Sequence, residues 1–248
     1  MNYEDIQKFL TTTIKDAYTQ IENVNIQTKF ENNDYVTNCD LIIEKYIIDN
    51  INKFYPNIAI MSEEFNKEDV NGTYFVIDPI DGTANFSTNL DIWGIQVAYI
   101  ENNDCKVSSI YFPKLNMIVE TVKGKGTFIN GEKGSIKKFD VLNKSMVSFN
   151  TKKNLKLYSL LLNIGNKISR VRLFGCPCYG FTLVAKGSID AYVLIGNTKY
   201  DIDPGLLSCK EAGAVYYRDN ICTIVANSHQ LIDLLKEEIY NIFGNDWY

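Results

Sequence analysis

Histidine is almost absent from this chain, which contains only His229 among its 248 residues. Zinc sites built on several histidines are therefore excluded, and histidine-based catalysis would have to use that one side chain. His229 lies in Asn227-Ser228-His229-Gln230, at a predicted helix start. We expect it to have a structural or surface role, so the chemistry of the protein must come from other side chains.

Basic residues are also too few to dominate the surface. The chain has 25 Lys and Arg against 30 Asp and Glu, which gives a formal net charge of −5 at pH 7. Because nucleic acids attract strongly basic faces, we do not expect nucleic acid as a partner. No apolar run reaches the roughly 18 residues that a membrane span needs, so we expect no membrane partner.

The six cysteines include no C-x-x-C pair, and the polar, acidic start of the chain lacks the pattern of a secretory signal. We therefore predict a reduced, cytoplasmic protein whose cysteines are mostly buried as small apolar side chains. The Cys176-Pro177-Cys178 spacing is wrong for a zinc knuckle, so we predict no metal site there. No cysteine is followed six residues later by Arg, which argues against a cysteine phosphatase.

The patterns in the two halves of the chain predict an α+β protein. In the first half we predict helices over residues 3–21 and from Thr37 to Pro56, with Thr37 and Asp40 in capping-box spacing. Consecutive strands then predict an antiparallel meander: 58–61, 74–77, 94–100, 106–112, 117–122 and 126–129.

The second half of the sequence alternates strands and helices. The predicted elements are strand 146–149, helix 155–168, strand 171–174, helix 181–185, strand 191–194, a helix starting at Asp203-Pro204 and closed by Gly213, strands 215–217 and 223–226, and helix 230–243. We place a boundary near Asn143. Residues 1–143 then form an N-terminal α+β subdomain, and residues 144–248 form a C-terminal α/β subdomain.

Three short segments each place acidic residues at the end of a predicted strand. They contain Glu63-Glu64, then Asp78-Pro79-Ile80-Asp81-Gly82-Thr83, then Asp201-Ile202-Asp203. Clustered carboxylates repel one another and usually need a cation, and oxygen ligands without His or Cys favour Mg²⁺ or Mn²⁺. Backbone N–H groups at a helix starting near Thr83 would suit a phosphate. Each segment also has a simpler reading: a turn, a solvated charge pair or a helix cap.

The segment from Asp78 to Thr83 resembles the signature of the inositol monophosphatase family. Glu63-Glu64 upstream, Asp201 downstream, and the segments 123–126 and 184–192 are similar to other family segments, so the resemblance covers essentially the whole chain. It implies a layered α-β-α-β-α phosphatase fold, dependence on two to three Mg²⁺ ions with Mn²⁺ as a substitute, and lithium sensitivity. It also implies a small phosphorylated metabolite as substrate and a homodimer.

The resemblance also implies roles for individual residues. Glu63, Asp78, Asp81 and Asp201 would bind metal together with the Ile80 carbonyl. Glu63 and Thr83, with Asp81, would serve catalysis by orienting a metal-activated water for direct in-line attack on phosphorus. Substrate binding would involve Gly82, Thr83, Asp81 and Asp201, the first two through backbone N–H groups. Lys29, Asp40 and Glu64 would support the site from behind the ligands.

Three departures from the family pattern leave the substrate open. Leu194 stands where many inositol-specific members have an acid, Cys176-Pro177-Cys178 replaces small residues, and Asp203-Pro204 follows the late metal Asp. We expect all three to surround the leaving-group pocket rather than the metals, with Asp203 as a helix cap. The C-terminal subdomain would thus hold the late metal Asp and this pocket, and the N-terminal subdomain most metal ligands.

We therefore predict a Mg²⁺-dependent phosphomonoesterase acting on a polyol or sugar phosphate. Alternatives are a phosphatase for fructose 1,6-bisphosphate or a 3′-phosphonucleotide, and a catalytically altered member that binds a phosphometabolite. The spacing of Asp201 and Asp203 also permits an aspartyl-nucleophile phosphatase, but Gly205 stands where Thr or Val is expected.

Overall fold

The computed structural model describes residues 2–31, 34–151, 155–196 and 198–244. Its helices are α1 (Tyr3–Thr19), α2 (Asn38–Phe54), α3 (Thr83–Ser87), α4 (Leu155–Ile164), α5 (Pro177–Ala185), α6 (Lys199–Glu211) and α7 (His229–Phe243). Its strands are β1 (Thr28–Glu31), β2 (Asp34–Thr37), β3 (Ala59–Ser62), β4 (Tyr74–Asp81), β5 (Gly94–Glu101), β6 (Asp104–Phe112), β7 (Met117–Val122), β8 (Gly126–Ile129), β9 (Glu132–Lys133), β10 (Met146–Thr151), β11 (Arg170–Arg172), β12 (Ala191–Ile195), β13 (Val215–Arg218) and β14 (Cys222–Ala226).

Two large sheets organise the chain. The first runs β3-β4-β5-β6-β7-β8-β9, and all its pairs from β4 onward are antiparallel. The second runs β11-β10-β12-β14-β13, in which β10 is parallel to both β11 and β12. The predicted meander is therefore confirmed from β4 to β8. Its first strand is the exception, because β3 pairs with β4 in parallel.

Helices cover both sheets, so that the fold is α+β in five layers. Helices α1 and α2 pack on one face of the seven-stranded sheet. Its other face meets α6 and the start of α5, which also pack on the five-stranded sheet. Helices α4 and α7 cover the outer face of that second sheet. The layered fold predicted from the sequence is confirmed, whereas the subdomain boundary near Asn143 stays a prediction.

Local sequence explains the first two helices. Asn2 caps α1 by accepting a hydrogen bond from the Glu4 N–H. Thr37 and Asp40 form a reciprocal capping box at the start of α2, as predicted. The buried stripes of both helices follow helical spacing: Ile6, Leu10, Ile14 and Ala17 in α1, and Ile43, Ile47 and Ile51 in α2.

The start of α6 differs from its prediction. The helix begins at Lys199, with Thr198 as the N-cap residue, and Pro204 lies inside it. Asp203 is therefore not a cap; its carboxylate accepts a hydrogen bond from Arg218 Nη1 at 2.9 Å. The Asp-Pro pair imitates a helix start, but a proline one turn into a helix interrupts only one backbone hydrogen bond. The hairpin of β1 and β2 was not predicted.

Three further sequence predictions concern membrane crossing, the burial of the cysteines and the exposure of His229. Among the described residues, the helices fall short of the length and apolar character that a membrane crossing requires. All six cysteines are free, and five of them are buried, as predicted, while Cys105 is partly buried. His229 is exposed at the first position of α7, in agreement with its predicted surface role.

A candidate metal centre between the sheet and helix α6

A β-bulge brings Asp78 and Asp81 to the same side of β4. Residues three apart on a regular strand face opposite ways. Here Asp78 pairs with Gln96, but Asp81 pairs with Gly94, so β4 contains one extra residue between the two acids. The Ile80 side chain points the other way and packs with Phe75 and Ile77 beneath α1 and α2.

Helix α6 supplies the third carboxylate. Asp201 lies in its first turn and accepts a hydrogen bond from the Thr198 hydroxyl. Carboxylate oxygens of Asp78, Asp81 and Asp201 lie within 4.8 Å of one another. The acids at the end of β4 and the acid at the start of α6 thus lie close together.

Glu63 reaches the same point because β3 and β4 are parallel. Ser62 pairs with Ile77, so the next residues, Glu63 and Asp78, are neighbours, and the charge of Glu63 raises the pKa of Asp78. The turn after β3 is held by Glu44 of α2, which is fully buried. Glu44 accepts hydrogen bonds from the Ser62 hydroxyl at 2.6 Å and from the N–H groups of Glu64 (2.8 Å) and Phe65 (2.6 Å).

Thr83 begins the short helix α3 next to these acids. Its hydroxyl lies 2.8 Å from the Ile80 carbonyl oxygen and 3.5 Å from Asp40 Oδ1. Gly82 precedes it with φ 92°, and a Cβ there would lie 3.2 Å from both Cys176 Cβ and the Ile92 oxygen. Only glycine satisfies both the backbone conformation and this close packing.

The pKa values of the acids in the site are raised by burial and, for Asp78 and Glu63, by neighbouring negative charges. Burial, and then the neighbouring acids Glu63, Asp81 and Asp201, raise the pKa of Asp78 well above its usual range. Burial and the nearby charge of Asp201 raise the pKa of Glu63 in the same way. Burial raises the pKa of Asp81 to about 6, although the Cys178 N–H partly stabilises its charged form. The cluster holds its full negative charge only if a cation neutralises it.

These residues fit a hard divalent cation. Asp78 Oδ1 and Asp81 Oδ1 are buried and have no hydrogen-bond partner among the described residues. Buried carboxylate oxygens left without a partner are costly, and a metal ion would satisfy them. The donor set is all oxygen, which is the chemistry that Mg²⁺ and Mn²⁺ select.

The three predicted supporting residues lie at different distances from the cluster. Asp40 is buried, reaches the Thr83 hydroxyl, and has a pKa raised by burial to about 7. Glu64 forms an ion pair with Lys67 at 3.7 Å. Lys29 is exposed on β1, and no hydrogen bond or ion pair joins it to the acids within the described ranges.

The three departures from the family pattern contact different parts of the fold. Cys176 and Cys178 lie against a metal carboxylate: the Cys178 N–H donates to Asp81 Oδ2 at 2.5 Å, and Cys176 Sγ donates to the Asp81 carbonyl at 3.4 Å. Leu194 is buried in the apolar cluster between β12, α5 and α6. Backbone packing thus turns them toward Asp81, the core and Arg218, and the expectation that all three surround a leaving-group pocket stays a prediction.

Sequence reasoning missed two side chains that support the acids. Gln96 is fully buried, and its Nε2 donates to Asp78 Oδ2 and Asp81 Oδ2, both at 3.1 Å. Glu44 holds the turn that carries Glu63. A signal existed for each: Gln96 is a polar residue within an apolar strand, and Glu44 follows Asp40 by one helical turn on a buried face.

Five alternating layers around a carboxylate cluster define a metal-dependent hydrolase. A family model described as the inositol monophosphatase family matches residues 3–233. The chain belongs to the inositol monophosphatase family and is a phosphatase; this family is metal-dependent and acts on small phosphorylated substrates.

Individual relatives agree with this assignment. The Thermotoga maritima fructose-1,6-bisphosphatase/inositol-1-monophosphatase is 32% identical over 204 residues, 79% of this chain and 75% of the relative. The Bacillus subtilis inositol-1-monophosphatase is 28% identical over 227 residues, 87% of this chain and 86% of the relative. The solved structure of a Thermotoga maritima IMPase has a TM-score of 0.83 at 26% identity and covers 96% of this chain and 98% of that one.

Proposed function

We propose that this protein hydrolyses the phosphomonoester of a polyol or sugar phosphate and depends on Mg²⁺. One observation carries the proposal: carboxylate oxygens of Asp78, Asp81 and Asp201 lie within 4.8 Å of one another, beside Glu63. Two to three Mg²⁺ ions, with Mn²⁺ as a substitute, would be held by these four acids and the Ile80 carbonyl.

The positions of the residues support the roles that we propose for them. Bound Mg²⁺ would supply positive charge that polarises the phosphate and lowers the pKa of the attacking water. Glu63 and the Thr83 hydroxyl would orient that water for in-line attack, because both lie at the edge of the carboxylate cluster. The backbone N–H groups of Gly82 and Thr83 would bind phosphate oxygens, while Asp81 and Asp201 would face the substrate across the metals.

The test is phosphate release from a panel of phosphomonoesters with Mg²⁺, Mn²⁺ or a chelator. We expect metal-dependent turnover of at least one polyol or sugar phosphate, inhibition by Li⁺, and loss of turnover in Asp78→Asn and Asp81→Asn. Asp49→Asn is the matched control, because Asp49 is an exposed acid of α2 paired with Lys45. Metal-dependent turnover that persisted in both site variants would contradict the proposed role of these acids.

A second candidate substrate is fructose 1,6-bisphosphate. It is favoured by the name of the Thermotoga maritima relative, which includes both activities. The panel therefore includes inositol 1-phosphate, fructose 1,6-bisphosphate and a 3′-phosphonucleotide at equal concentration. The ratio of their kcat/KM values decides between them. Mg²⁺-dependent binding without turnover of any of them would instead favour the catalytically altered member.

We also propose that the protein is a homodimer. Helix α4 exposes Tyr158 and Leu162, one turn apart, and Leu162 is 80% exposed. An apolar pair on an uncovered helix face suits a second copy of the chain. Sedimentation velocity should show a dimer that Leu162→Lys weakens, whereas Lys156→Ala on the same helix should not; a monomer at all concentrations would contradict the proposal.

A further inference from the structure

Two thiols and a carboxylate converge behind the acidic cluster. Cys176 Sγ and Cys178 Sγ are 3.6 Å apart, and both side chains are buried. Ligand atoms of Cys176, Cys178 and Asp81 all lie within 4.8 Å of one another. The two cysteines are unrelated to the hydrolytic chemistry proposed above, which uses oxygen ligands alone.

We propose that Cys176, Cys178 and Asp81 form a binding site for a thiophilic divalent cation of the zinc class, separate from the Mg²⁺ ligand set except for the shared carboxylate of Asp81. Soft thiolate ligands select such cations, whereas Mg²⁺ prefers oxygen. The geometry matches: two sulfurs about 2.3 Å from a tetrahedral zinc ion are roughly 3.8 Å apart. A disulfide would instead need the sulfurs about 2.05 Å apart.

The backbone holds the three ligands in place. The Cys178 N–H donates to Asp81 Oδ2, which fixes the carboxylate against the Cys176-Pro177-Cys178 segment. Pro177 is the first residue of α5 and restricts the chain between the two thiols. Gly94 leaves the space that Cys178 Sγ occupies, since a Cβ at Gly94 would lie only 3.0 Å from that sulfur.

Binding requires the loss of two protons. Burial raises the pKa of the Cys176 thiol to about 11 and that of the Cys178 thiol well above its usual range. Both S–H bonds therefore break only as the metal–sulfur bonds form, and the two protons pass to the solvent.

The consequence is competition for one ligand. Asp81 belongs both to the Mg²⁺ site with Asp78 and Asp201 and to the thiol site with Cys176 and Cys178. A zinc-class cation bound to the thiols would draw the Asp81 carboxylate away from Mg²⁺, so that such ions act as inhibitors. This consequence depends on the proposed function, whereas the binding itself does not.

Cadmium is the most direct probe, because a thiolate–Cd²⁺ bond absorbs in the ultraviolet. The reduced full-length chain is titrated with Cd²⁺ in excess Mg²⁺, and we expect a thiolate band that saturates at one Cd²⁺ per chain. Cys176→Ser and Cys178→Ser should each weaken binding at least tenfold. Cys105→Ser is the matched control and should leave the titration unchanged. Cys105 lies apart from this cluster, and its thiol donates a hydrogen bond to the Val107 carbonyl.

The proposal is overturned if the wild-type chain gives no thiolate band with stoichiometric Cd²⁺. It is equally overturned if the band persists in the double Cys176→Ser, Cys178→Ser variant. Circular dichroism of each variant shows whether the fold is retained, and a wild-type chain without the band overturns the proposal even where a variant fails to fold. Because no turnover is measured, the result is independent of the proposed phosphatase substrate.

Discussion

At the scale of single residues, the acids of the site depend on neutral and charged neighbours that touch no substrate. Gln96 Nε2 donates to both Asp78 and Asp81 and holds the two carboxylates in one orientation. Groups that orient metal ligands typically change metal affinity 10- to 100-fold when removed. The amide of Gln96 therefore belongs to the functional unit as a group that positions the two carboxylates.

We predict that Gln96→Leu raises the Mg²⁺ concentration needed for half-maximal activity by about 10- to 100-fold, because the carboxylates lose their shared donor. Leucine fills a similar volume, so the core around Gln96 is retained. The measurement is phosphate release against Mg²⁺ concentration. Gln230→Leu, at an exposed position of α7, is the control. An unchanged Mg²⁺ requirement would show that Gln96 only fills space.

We predict that Glu44→Gln lowers kcat more than it affects KM. Glutamine has one acceptor oxygen where Glu44 uses two, so one N–H group of the turn that carries Glu63 loses its partner. A buried donor left unsatisfied costs about 1–3 kcal/mol of stability. Urea unfolding and steady-state kinetics check both effects.

The control for Glu44→Gln is Glu68→Gln, the same change at an exposed acid further along the same turn region. If Glu44→Gln loses stability but keeps the wild-type kcat, then Glu44 supports the fold and does not position Glu63.

At the scale of elements, close packing between α5, α6 and the second sheet depends on two glycines. A Cβ at Gly205 of α6 would lie 2.6 Å from the Phe181 ring, and one at Gly180 of α5 would lie 2.3 Å from the Tyr192 ring. These contacts set how closely α6 approaches α5 and how closely α5 approaches the second sheet. Because α6 carries Asp201, the same packing positions the third carboxylate.

We predict that Gly205→Ala destabilises the protein by about 1–3 kcal/mol, the usual cost of overpacking a core. Alanine normally stabilises a helix by about 0.5–1 kcal/mol relative to glycine, so a loss would show that the clash is larger than the propensity gain. Gly165→Ala is the control, since that glycine follows α4, is exposed and meets only backbone oxygens. Denaturant unfolding of both variants gives the comparison; equal stability would refute the clash.

Most element types were predictable from the sequence, but the features that bring the acids together were not. Periodicity predicts β4 and β5, yet the bulge that turns Asp78 and Asp81 to one side depends on how the two strands pair. Short strands separated by an irregular segment suggest a meander, yet β3 is parallel to β4. The Asp203-Pro204 pair imitates a helix start while α6 begins at Lys199. Such pairings are set by tertiary contacts rather than by local propensity.

At the scale of the whole molecule, the layers place a buried cluster of acids between two sheets. The sequence resemblance predicted which acids meet, and the fold explains why they can: β3, β4 and α6 all end or begin at the same edge. What the sequence could not predict is the packing of the residues that depart from the family pattern, because Leu194 and the Cys176-Pro177-Cys178 segment lie inside apolar clusters formed by residues far apart in the chain.

The buried acids also predict how stability responds to pH without metal. The pKa is raised to about 7 for Asp40 and to about 6 for Asp81, above their unfolded values near 3.8. Groups with raised folded pKa values stabilise the fold at low pH, and this contribution is lost as pH rises through the folded value. At about 1.4 kcal/mol per pKa unit, the free energy of unfolding falls by roughly 4 kcal/mol through Asp40 alone as the pH rises from below its unfolded pKa to above its folded pKa. Acids with lowered pKa values, such as Asp104 and Asp219, change stability only at lower pH.

We therefore expect the melting temperature in a chelator to fall between about pH 4 and pH 7. Mg²⁺ binds the ionised acids, so saturating Mg²⁺ should raise the melting temperature more at pH 8 than at pH 5, where protons compete for the same oxygens. A ligand at 100 times its Kd stabilises a fold by about 2.7 kcal/mol. Thermal melts with and without Mg²⁺ measure both effects; Asp81→Asn should reduce them and Asp49→Asn should not. A chelated protein that melts at a constant temperature across this range would show that these carboxyl groups are not held neutral by burial.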